Sequence, residues 1–476
     1  MSRLIIRKVA VLGAGVMGAQ IAAHCANAGV PVILFDLPAK EGPPSAIARK
    51  AVDGLKKLEP APLATKDRAQ FVDVANYGSD LEKLRDCDLI IEAIAEKMEW
   101  KLDLYAKVAP FIRADAIFAS NTSGLSINTL SEGMPAEARA RFCGIHFFNP
   151  PRYMALVELI ATRTTDPATL DALEAWLTTR LGKSIVRAKD TPNFVANRVG
   201  VFSILAVMHH TARLGLGFDE VDALTGPIIG RPKSATYRTA DVVGLDTLAH
   251  VIGTMQATLP GDPWHAFYQS PEWLSGLIAK GVLGQKTKGG IFRKDGKAIV
   301  VLDVAKQDYR PSAGEVAPEV LAILKNRNPV EKFARLRASA HPQAQFLWAI
   351  FRDVFHYCAF HLADIADIEF LPGIRHDLHD TDRADPAFDR LIQPRFLVTL
   401  RRHQDVVDAV LITVFAEGFD QLLQLGTLGI GRCILHPFDR LQIFLEYDIA
   451  KGRANLVLLD ERVECCLEQR AVLANG

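Results

Sequence analysis

The first 36 residues alternate apolar runs with a glycine-rich turn and an alanine-rich stretch. Val9–Leu12 is apolar, Ala19–Ala28 has a helical composition, and Val32–Phe35 is a second apolar run. This order predicts a strand, a helix and a second strand, which together form a βαβ unit. Apolar runs at 89–91 and 116–119 follow, separated by amphipathic stretches. The pattern therefore predicts an α/β domain with a doubly wound parallel sheet over residues 1–190.

A helical period replaces this alternation after Thr191-Pro192-Asn193. The segments 194–214, 218–224 and 239–255 each show helical spacing of apolar residues. We therefore expect an all-helical domain over residues 191–304.

The remaining chain contains three segments that differ in composition. Residues 305–335 are charged and contain Pro311, Pro318 and Pro329, which predicts a linker. Residues 346–365 form an amphipathic helix that weakly repeats the helix starting near Asn197, so 336–367 are interpreted as the start of a second, incomplete helical domain. Residues 368–476 form an unassigned tail, for which the Leu, Ile and Val content favours helices.

Composition narrows the function classes. The 476 residues carry 55 Lys+Arg and 55 Asp+Glu, and this zero net charge argues against a nucleic-acid or acidic-membrane partner. The seven cysteines are scattered and form no disulfide or CxxC metal pattern, which favours the reducing cytoplasm. The amino terminus lacks the apolar region of a signal peptide, and the apolar stretch 199–208 is too short to span a bilayer.

The glycine-rich turn matches the pattern GxGxxG in the segment Gly13-Ala14-Gly15-Val16-Met17-Gly18. Its place between a strand and a helix is that of a Rossmann-type dinucleotide site, where the helix N-terminus attracts the pyrophosphate. Asp36 ends the second strand, where a carboxylate accepts hydrogen bonds from ribose hydroxyls. Because no arginine follows Asp36 directly, NAD is favoured over NADP as the cofactor.

Two ionisable residues interrupt apolar runs further along. His146 lies in Ile145-His146-Phe147 and Glu158 lies in Val157-Glu158-Leu159. A histidine paired with a carboxylate satisfies both buried groups. Such a pair is either a catalytic dyad, in which Glu158 orients His146 as a base, or a buried structural hydrogen bond.

Several motifs in fixed order resemble those of the L-3-hydroxyacyl-CoA dehydrogenase family over roughly residues 5–300. The motifs are the glycine turn, Asp36, Ile91-Glu92-Ala93-Ile94-Ala95-Glu96, Ala119-Ser120-Asn121-Thr122-Ser123, His146-Phe147-Phe148-Asn149-Pro150, Glu158, Asp190-Thr191-Pro192 and Asn197-Arg198. The resemblance implies oxidation of a (3S)-hydroxyacyl-CoA to the 3-ketoacyl-CoA by NAD in fatty-acid β-oxidation.

The resemblance also implies residue roles. His146 would be the base and Glu158 its partner, while Ser123 and Asn197 would assist catalysis and contact the substrate near its C3 oxygen. Around the cofactor it places residues of the glycine turn and others along the first domain: Gly13, Gly15, Met17, Gly18, Asp36, Glu96, Lys101, Ser123 and Asn149. Lys56 and Lys57 would lie near the CoA phosphates, although a lysine pair is also typical of a solvated helix surface.

The tail departs from the long bacterial proteins of this kind, since it shows no glycine-rich oxyanion loop of an enoyl-CoA hydratase. His376 and His379 stand three residues apart among acidic residues, but a polar loop explains them equally, so no metal site is predicted. An incomplete second helical domain leaves two expectations: either residues 346–365 pack on the first helical domain, or the chain forms a homodimer through that surface. Two functions stay open beside the main one, namely a gulonate-type dehydrogenase of a free hydroxy acid and a non-catalytic NAD-binding relative.

Overall fold

The structure is a computed structural model that describes residues 5–366 and the backbone of 442–448 and 453–459. Its chain divides into two compact units, the first containing residues 1–198 with 364–367, and the second containing residues 199–363. His376 and His379, which were considered as metal ligands and not predicted to be a site, lie outside the described residues.

The first unit is built on an eight-stranded sheet in the order β3-β2-β1-β4-β5-β6-β7-β8. The strands are β1 (Val9–Leu12), β2 (Val32–Asp36), β3 (Val72–Asn76), β4 (Leu89–Glu92), β5 (Ile117–Ser120), β6 (Phe142–Phe147), β7 (Leu156–Ala161) and β8 (Ser184–Ala188). Neighbouring strands are parallel except β6 and β7, which are antiparallel. This confirms the predicted Rossmann-type sheet.

Helices cover this sheet because its strands are apolar on both faces. They are α1 (Val16–Asn27), α2 (Ala46–Leu55), α3 (Met98–Val108), α4 (Ile127–Glu132) and α5 (Pro167–Leu181). Helix α5 shows how the sequence sets the boundaries of a helix. Asp166 accepts a hydrogen bond from the Ala168 N–H at its start, Pro167 occupies the first turn, and Gly182 ends it with φ +65°.

The second unit is mainly helical, as the sequence predicts. Its helices are α6 (Ala196–Leu214, which begins in the first unit), α7 (Phe218–Leu224), α8 (Tyr237–Val243), α9 (Leu245–Thr258), α10 (Glu272–Ala279), α11 (Pro318–Leu324), α12 (Pro329–Ala338) and α13 (Pro342–Ile365). The single helix predicted over 239–255 is in fact two helices. Gly244 separates them with φ +104°, a backbone conformation that L-residues rarely adopt.

Residues 305–335, predicted as a linker, contain ordered elements. An antiparallel sheet of β9 (Phe292–Asp295), β10 (Ala298–Asp303) and β11 (Asp308–Pro311) reaches into this range, and α11 and α12 follow. Its prolines mark element boundaries rather than a linker: Pro311 ends β11, and Pro318 and Pro329 are the first residues of α11 and α12. Proline suits a first helical position because the N–H it lacks would have no helical partner there.

Helix α13 covers the predicted amphipathic helix of residues 346–365 and packs inside the second unit. The Tyr357 ring stacks on Phe202 of α6 with centroids 3.8 Å apart, and its hydroxyl lies 3.0 Å from the Tyr268 hydroxyl. His210 of α6 lies 2.6 Å from the Asp353 carboxylate of α13. Of the two expectations for this helix, packing on the first helical domain is therefore the one seen.

The described part of the tail is an antiparallel pair, β12 (Gln442–Asp448) and β13 (Arg453–Leu459). These two segments are strands where the sequence favours helices. Ile443, Phe444, Tyr447 and Val457 are β-branched or aromatic residues, which fit a pleated surface better than a helix.

Candidate active site

The glycine-rich turn connects β1 to α1 at the centre of the sheet. Gly13 has φ +108°, and a Cβ on it would lie 2.8 Å from the carbonyl oxygen of Ala93. A Cβ on Gly18 would lie 1.8 Å from the carbonyl oxygen of Gly13. The fold itself therefore requires these two glycines. At Gly15, no protein atom lies within 4 Å of such a Cβ, so packing does not explain that glycine.

The start of α1 suits an anionic group. Gly15 caps this helix without a side-chain hydrogen bond, and the first turn holds no acidic residue. Asp36, at the end of β2, accepts a 2.6 Å hydrogen bond from the Ala14 N–H and a 2.7 Å bond from the Leu37 N–H. The chain's own residues thus fit a dinucleotide: a small residue where the backbone is approached, an uncapped helix N-terminus and a fixed carboxylate beside them.

His146 and Glu158 face each other across the one antiparallel strand pair of this sheet. They are register partners on β6 and β7, and Nδ1 of His146 lies 2.7 Å from Oε2 of Glu158. His146 is 5% exposed and Glu158 is fully buried. No described residue bonds the other ring nitrogen, Nε2, and the centroid of the imidazole ring lies 4.4 Å from the centroid of the Phe148 ring.

The second oxygen of Glu158 is also engaged. Oε1 accepts hydrogen bonds from the backbone N–H groups of Val195 and Ala196, at 3.0 and 2.7 Å. Ala196 is the first residue of α6, so the carboxylate caps this helix. Asn197, half-buried, is the next residue. The fold thereby brings His146, Glu158 and the first turn of α6 together.

A buried ion pair stands at the end of β4. Lys101 and Glu92 are both fully buried, and the Lys101 Nζ lies 2.6 Å from Oε1 of Glu92. Oε2 of Glu92 accepts hydrogen bonds from the Tyr105 hydroxyl at 2.9 Å and the Ser120 hydroxyl at 2.7 Å. Because both oxygens of Glu92 are bonded, these contacts offset the cost of removing the two charges from water.

The same ammonium group extends to Glu96, whose Oε2 lies 3.4 Å away. Oε1 of Glu96 accepts hydrogen bonds from the Thr122 hydroxyl and, at 2.8 Å, from the Ser123 N–H. Burial would raise the pKa of Glu96, but Lys101 and these hydrogen bonds outweigh it and hold that pKa below its usual value. Lys101 is therefore enclosed, whereas Glu96 and the exposed Ser123 are at the surface of this cluster.

Two amides join these groups to the rest of the site. The Asn121 side-chain oxygen accepts a 2.9 Å hydrogen bond from the Phe147 N–H, which ties the loop carrying Ser123 to the strand carrying His146. Asn149 accepts a 3.2 Å hydrogen bond from the Gln20 amide of α1. The dyad, the 121–123 loop and the dinucleotide helix are thus linked within the first unit.

Comparison with known proteins identifies the family of this chain. The model of the 3-hydroxyacyl-CoA dehydrogenase NAD-binding domain matches residues 8–191, and that of the C-terminal domain matches residues 194–294. A probable 3-hydroxyacyl-CoA dehydrogenase of Deinococcus radiodurans is 43% identical over 290 residues, which cover 61% of this chain and 83% of the relative. The chain belongs to the 3-hydroxyacyl-CoA dehydrogenase family.

Further relatives of the family show how much of the chain it covers. A probable 3-hydroxyacyl-CoA dehydrogenase of Bacillus subtilis is 38% identical over 394 residues, covering 80% of this chain and 49% of the relative. The chain thus spans about half the length of that relative. The crystal structure of (S)-3-hydroxybutyryl-CoA dehydrogenase from Ralstonia eutropha matches with 31% identity and a TM-score of 0.51, over 60% of this chain and 98% of the other. The predicted family and its cofactor NAD are confirmed.

Some residues that the family resemblance singles out lie apart from these contacts. Lys56 and Lys57 are exposed where α2 ends, and Lys56 pairs with Asp53 at 3.0 Å.

Within residues 5–366, no three His, Cys, Asp or Glu side chains are grouped as a metal site requires. No helix in this described part combines the length and hydropathy needed to cross a bilayer.

Sequence reasoning assigned no role to Glu92, Asn121 or Thr122, although Glu92 bonds Lys101, Thr122 bonds Glu96, and Asn121 bonds the backbone next to His146. Glu92 carried a readable signal, because a carboxylate that ends the apolar run Leu89-Ile90-Ile91 is costly to bury without a cation. Asn121 and Thr122 carried no such signal, since short polar residues after a strand are also typical of turns.

Proposed function

We propose that this chain oxidises (3S)-hydroxyacyl-CoA thioesters to 3-ketoacyl-CoA with NAD, and that His146 is the base. The observation that carries this proposal is the 2.7 Å contact between Nδ1 of His146 and Oε2 of Glu158, with Oε1 held by two backbone N–H groups. Relatives named 3-hydroxyacyl-CoA dehydrogenase support the substrate class.

The arrangement around Glu158 fixes the imidazole tautomer. Because Oε1 is occupied by the Val195 and Ala196 N–H groups, Oε2 is left to accept the Nδ1–H of His146. The proton then sits on Nδ1, and Nε2 keeps the lone pair that takes the proton from the substrate hydroxyl. The carboxylate also stabilises the imidazolium that forms.

Residues around the turn would hold the cofactor. The pyrophosphate fits the N–H groups at Gly13, Gly15, Met17 and Gly18 and the start of α1, while the Asp36 carboxylate fits the adenosine ribose. Bound NAD supplies the hydride acceptor.

The remaining candidate residues are assigned to the nicotinamide half of the cofactor, to the C3 oxygen of the substrate and to the CoA phosphates. Glu96, Ser123 and Asn149 would contact the nicotinamide half of the cofactor, and Lys101 would position Glu96 rather than touch the cofactor, since its ammonium group is fully buried. Ser123 and Asn197 would donate to the C3 oxygen of the substrate, on which charge develops. Lys56 and Lys57 are exposed cations that would meet the CoA phosphates.

The test is NADH oxidation with 3-ketoacyl-CoA substrates of increasing chain length, comparing the wild type with His146→Ala. We expect turnover with the thioesters, loss of turnover in the variant and unchanged NADH affinity. His250→Ala, which removes an exposed histidine on α9, is the matched control and should keep full activity. Turnover of free 3-keto acids instead of thioesters would favour the hydroxy-acid dehydrogenase, and NADH binding without any turnover would favour the non-catalytic relative.

Three broader assignments belong to the same proposal. We expect a role in β-oxidation and a cytoplasmic location, and a homodimer through the helical domain stays a prediction. The domain boundaries at residues 190 and 367 are likewise proposed, whereas those predicted at 304 and 335 fall inside the β9–β11 sheet and inside α12.

A further inference from the structure

Asp190 is the first residue of the motif Asp190-Thr191-Pro192, for which the family resemblance implies no role. It is half-buried and lies shortly after the end of β8. Its Oδ1 accepts a 2.9 Å hydrogen bond from the Ile127 N–H. Its Oδ2 accepts from the Ser126 hydroxyl at 2.7 Å, and from the N–H and the side-chain amide of Asn128 at 2.9 and 2.7 Å. One carboxylate thus holds the start of α4 through four hydrogen bonds.

The loop that carries Ser123 leads directly into this start of α4. Within the loop, the Thr122 hydroxyl accepts a 3.0 Å hydrogen bond from the Leu125 N–H, so these residues move as one turn. At the beginning of the loop, the Asn121 side chain bonds the backbone of β6. The loop is therefore anchored at both ends, by Asn121 where it begins and by Asp190 where it ends.

The segment that follows Asp190 is itself held in place. Asn193 and Phe194 have left-handed backbone conformations, with φ +61° and +51°, which an aromatic residue rarely adopts. Such conformations persist only where surrounding contacts maintain them. The N–H groups of the next two residues both bond Oε1 of Glu158. Residues 190–196 thus connect the anchor of the Ser123 loop to the carboxylate that orients His146.

We infer that Asp190 is a positioning residue of the proposed dehydrogenase site, which holds the Ser123 hydroxyl at a fixed distance from the His146 imidazole. This inference rests on the proposed function, in which Ser123 donates to the C3 oxygen from which His146 takes a proton. The donor and the base must reach the same oxygen atom. A loop released at its far end would therefore lower the rate of the chemical step and leave cofactor binding unchanged.

Asp190→Asn tests the inference because all four partners of this carboxylate are donors. The new NH₂ group must face the Ile127 N–H at one position or the Asn128 N–H at the other, whereas the two bonds to Glu158 remain. We expect kcat with acetoacetyl-CoA to fall by about 10- to 100-fold, as for other small misplacements of reacting groups, at unchanged NADH affinity. Asp166→Asn, at another carboxylate that caps a helix of the first unit, is the matched control and should keep wild-type kcat.

A double-mutant cycle with Ser123→Ala separates positioning from a general loss of stability. If Asp190 acts through the Ser123 hydroxyl, Asp190→Asn has no further effect once that hydroxyl is absent. We therefore expect the kcat of the double variant to lie within about threefold of Ser123→Ala alone. A role in stability alone would instead lower the melting temperature and leave kcat per folded molecule unchanged. Losses of kcat that multiply in the double variant, or an unchanged kcat in Asp190→Asn, would overturn the inference.

Amide hydrogen exchange of the full chain tests the same anchor without turnover. Asp190→Asn should speed exchange in residues 122–128 by about tenfold and leave β6 and β7 unchanged. Should this variant fail to fold, Ser126→Ala removes one of the four bonds and should produce a smaller increase in the same segment. Unchanged exchange there would overturn the inference. Faster exchange in a chain that does not turn over thioesters would support the anchor at Asp190 and contradict the proposed function.

Discussion

Replacing Glu158 by glutamine tests the proposed base without removing it. The N–H groups of Val195 and Ala196 both require an acceptor at the position of Oε1. The amide of Glu158→Gln must therefore turn its oxygen to these groups and its NH₂ toward Nδ1 of His146. An NH₂ donor there selects the tautomer with the proton on Nε2, and His146 then has no lone pair for the substrate hydroxyl.

The expected size of this effect follows from that tautomer. A comparable carboxylate-to-amide change beside a catalytic histidine lowers kcat by about 10⁴, so we expect a loss of about 10³ to 10⁴, or about 4 to 5.5 kcal/mol in the barrier. The free energy of unfolding of Glu158→Gln should change by less than this barrier does. The two hydrogen bonds to α6 persist but lose their charged acceptor, which costs about 1 to 2 kcal/mol.

The assay is steady-state NADH oxidation with acetoacetyl-CoA, together with NADH affinity by fluorescence titration. Glu174→Gln is the matched control, because Glu174 is also a carboxylate of the first unit bonded to a cation, Arg187, at 2.7 Å. We expect this control to keep wild-type kcat and both variants to bind NADH normally. A kcat of Glu158→Gln within tenfold of the wild type would refute the tautomer argument.

Three further predictions follow from the first unit. Gly18→Ala should abolish measurable NADH binding and lower the melting temperature, because its Cβ would meet the Gly13 carbonyl oxygen at 1.8 Å; Gly54→Ala, with open space around it, should not. Lys101→Met should cost about 3 to 5 kcal/mol in urea unfolding, since Glu92 stays buried without its cation, and adding Glu92→Gln should recover most of the loss; no recovery would contradict the ion-pair account. Burial lowers the pKa of His24 to about 4, so its stabilising contribution is complete above pH 6.5 and is lost as pH falls toward 4. His24→Gln should therefore remove about 3 kcal/mol of pH dependence from unfolding between pH 6.5 and 4, and an unchanged slope would contradict the buried neutral histidine.

Much of the first unit could be predicted because its signals are local. The alternation of apolar runs with a glycine turn specifies strand, turn and helix within 30 residues, and the turn carries its own chemistry. The pairing of His146 with Glu158 was also open to prediction, since each interrupts an apolar run. Their distance could not be predicted, because it depends on β6 and β7 being antiparallel neighbours in a sheet that is otherwise parallel.

Predictions were least accurate where a single residue changes the backbone or where contacts join distant segments. Gly244 divides a helical pattern that is continuous in apolar spacing, and only its φ of +104° shows the break. The prolines of residues 305–335 were interpreted as linker residues, yet two of them start helices. The Glu92 cluster draws on β4, α3 and β5, and no spacing rule connects these segments along the chain.

The carboxylate of Glu158 restricts how this protein can be redesigned. Its two oxygens serve an imidazole on one side and the start of a 19-residue helix on the other. A new side chain at this position must therefore supply both an orienting acceptor and a helix cap. Laboratory evolution toward other chemistry would first have to provide a substitute acceptor for Val195 and Ala196, and only then would position 158 be free to vary.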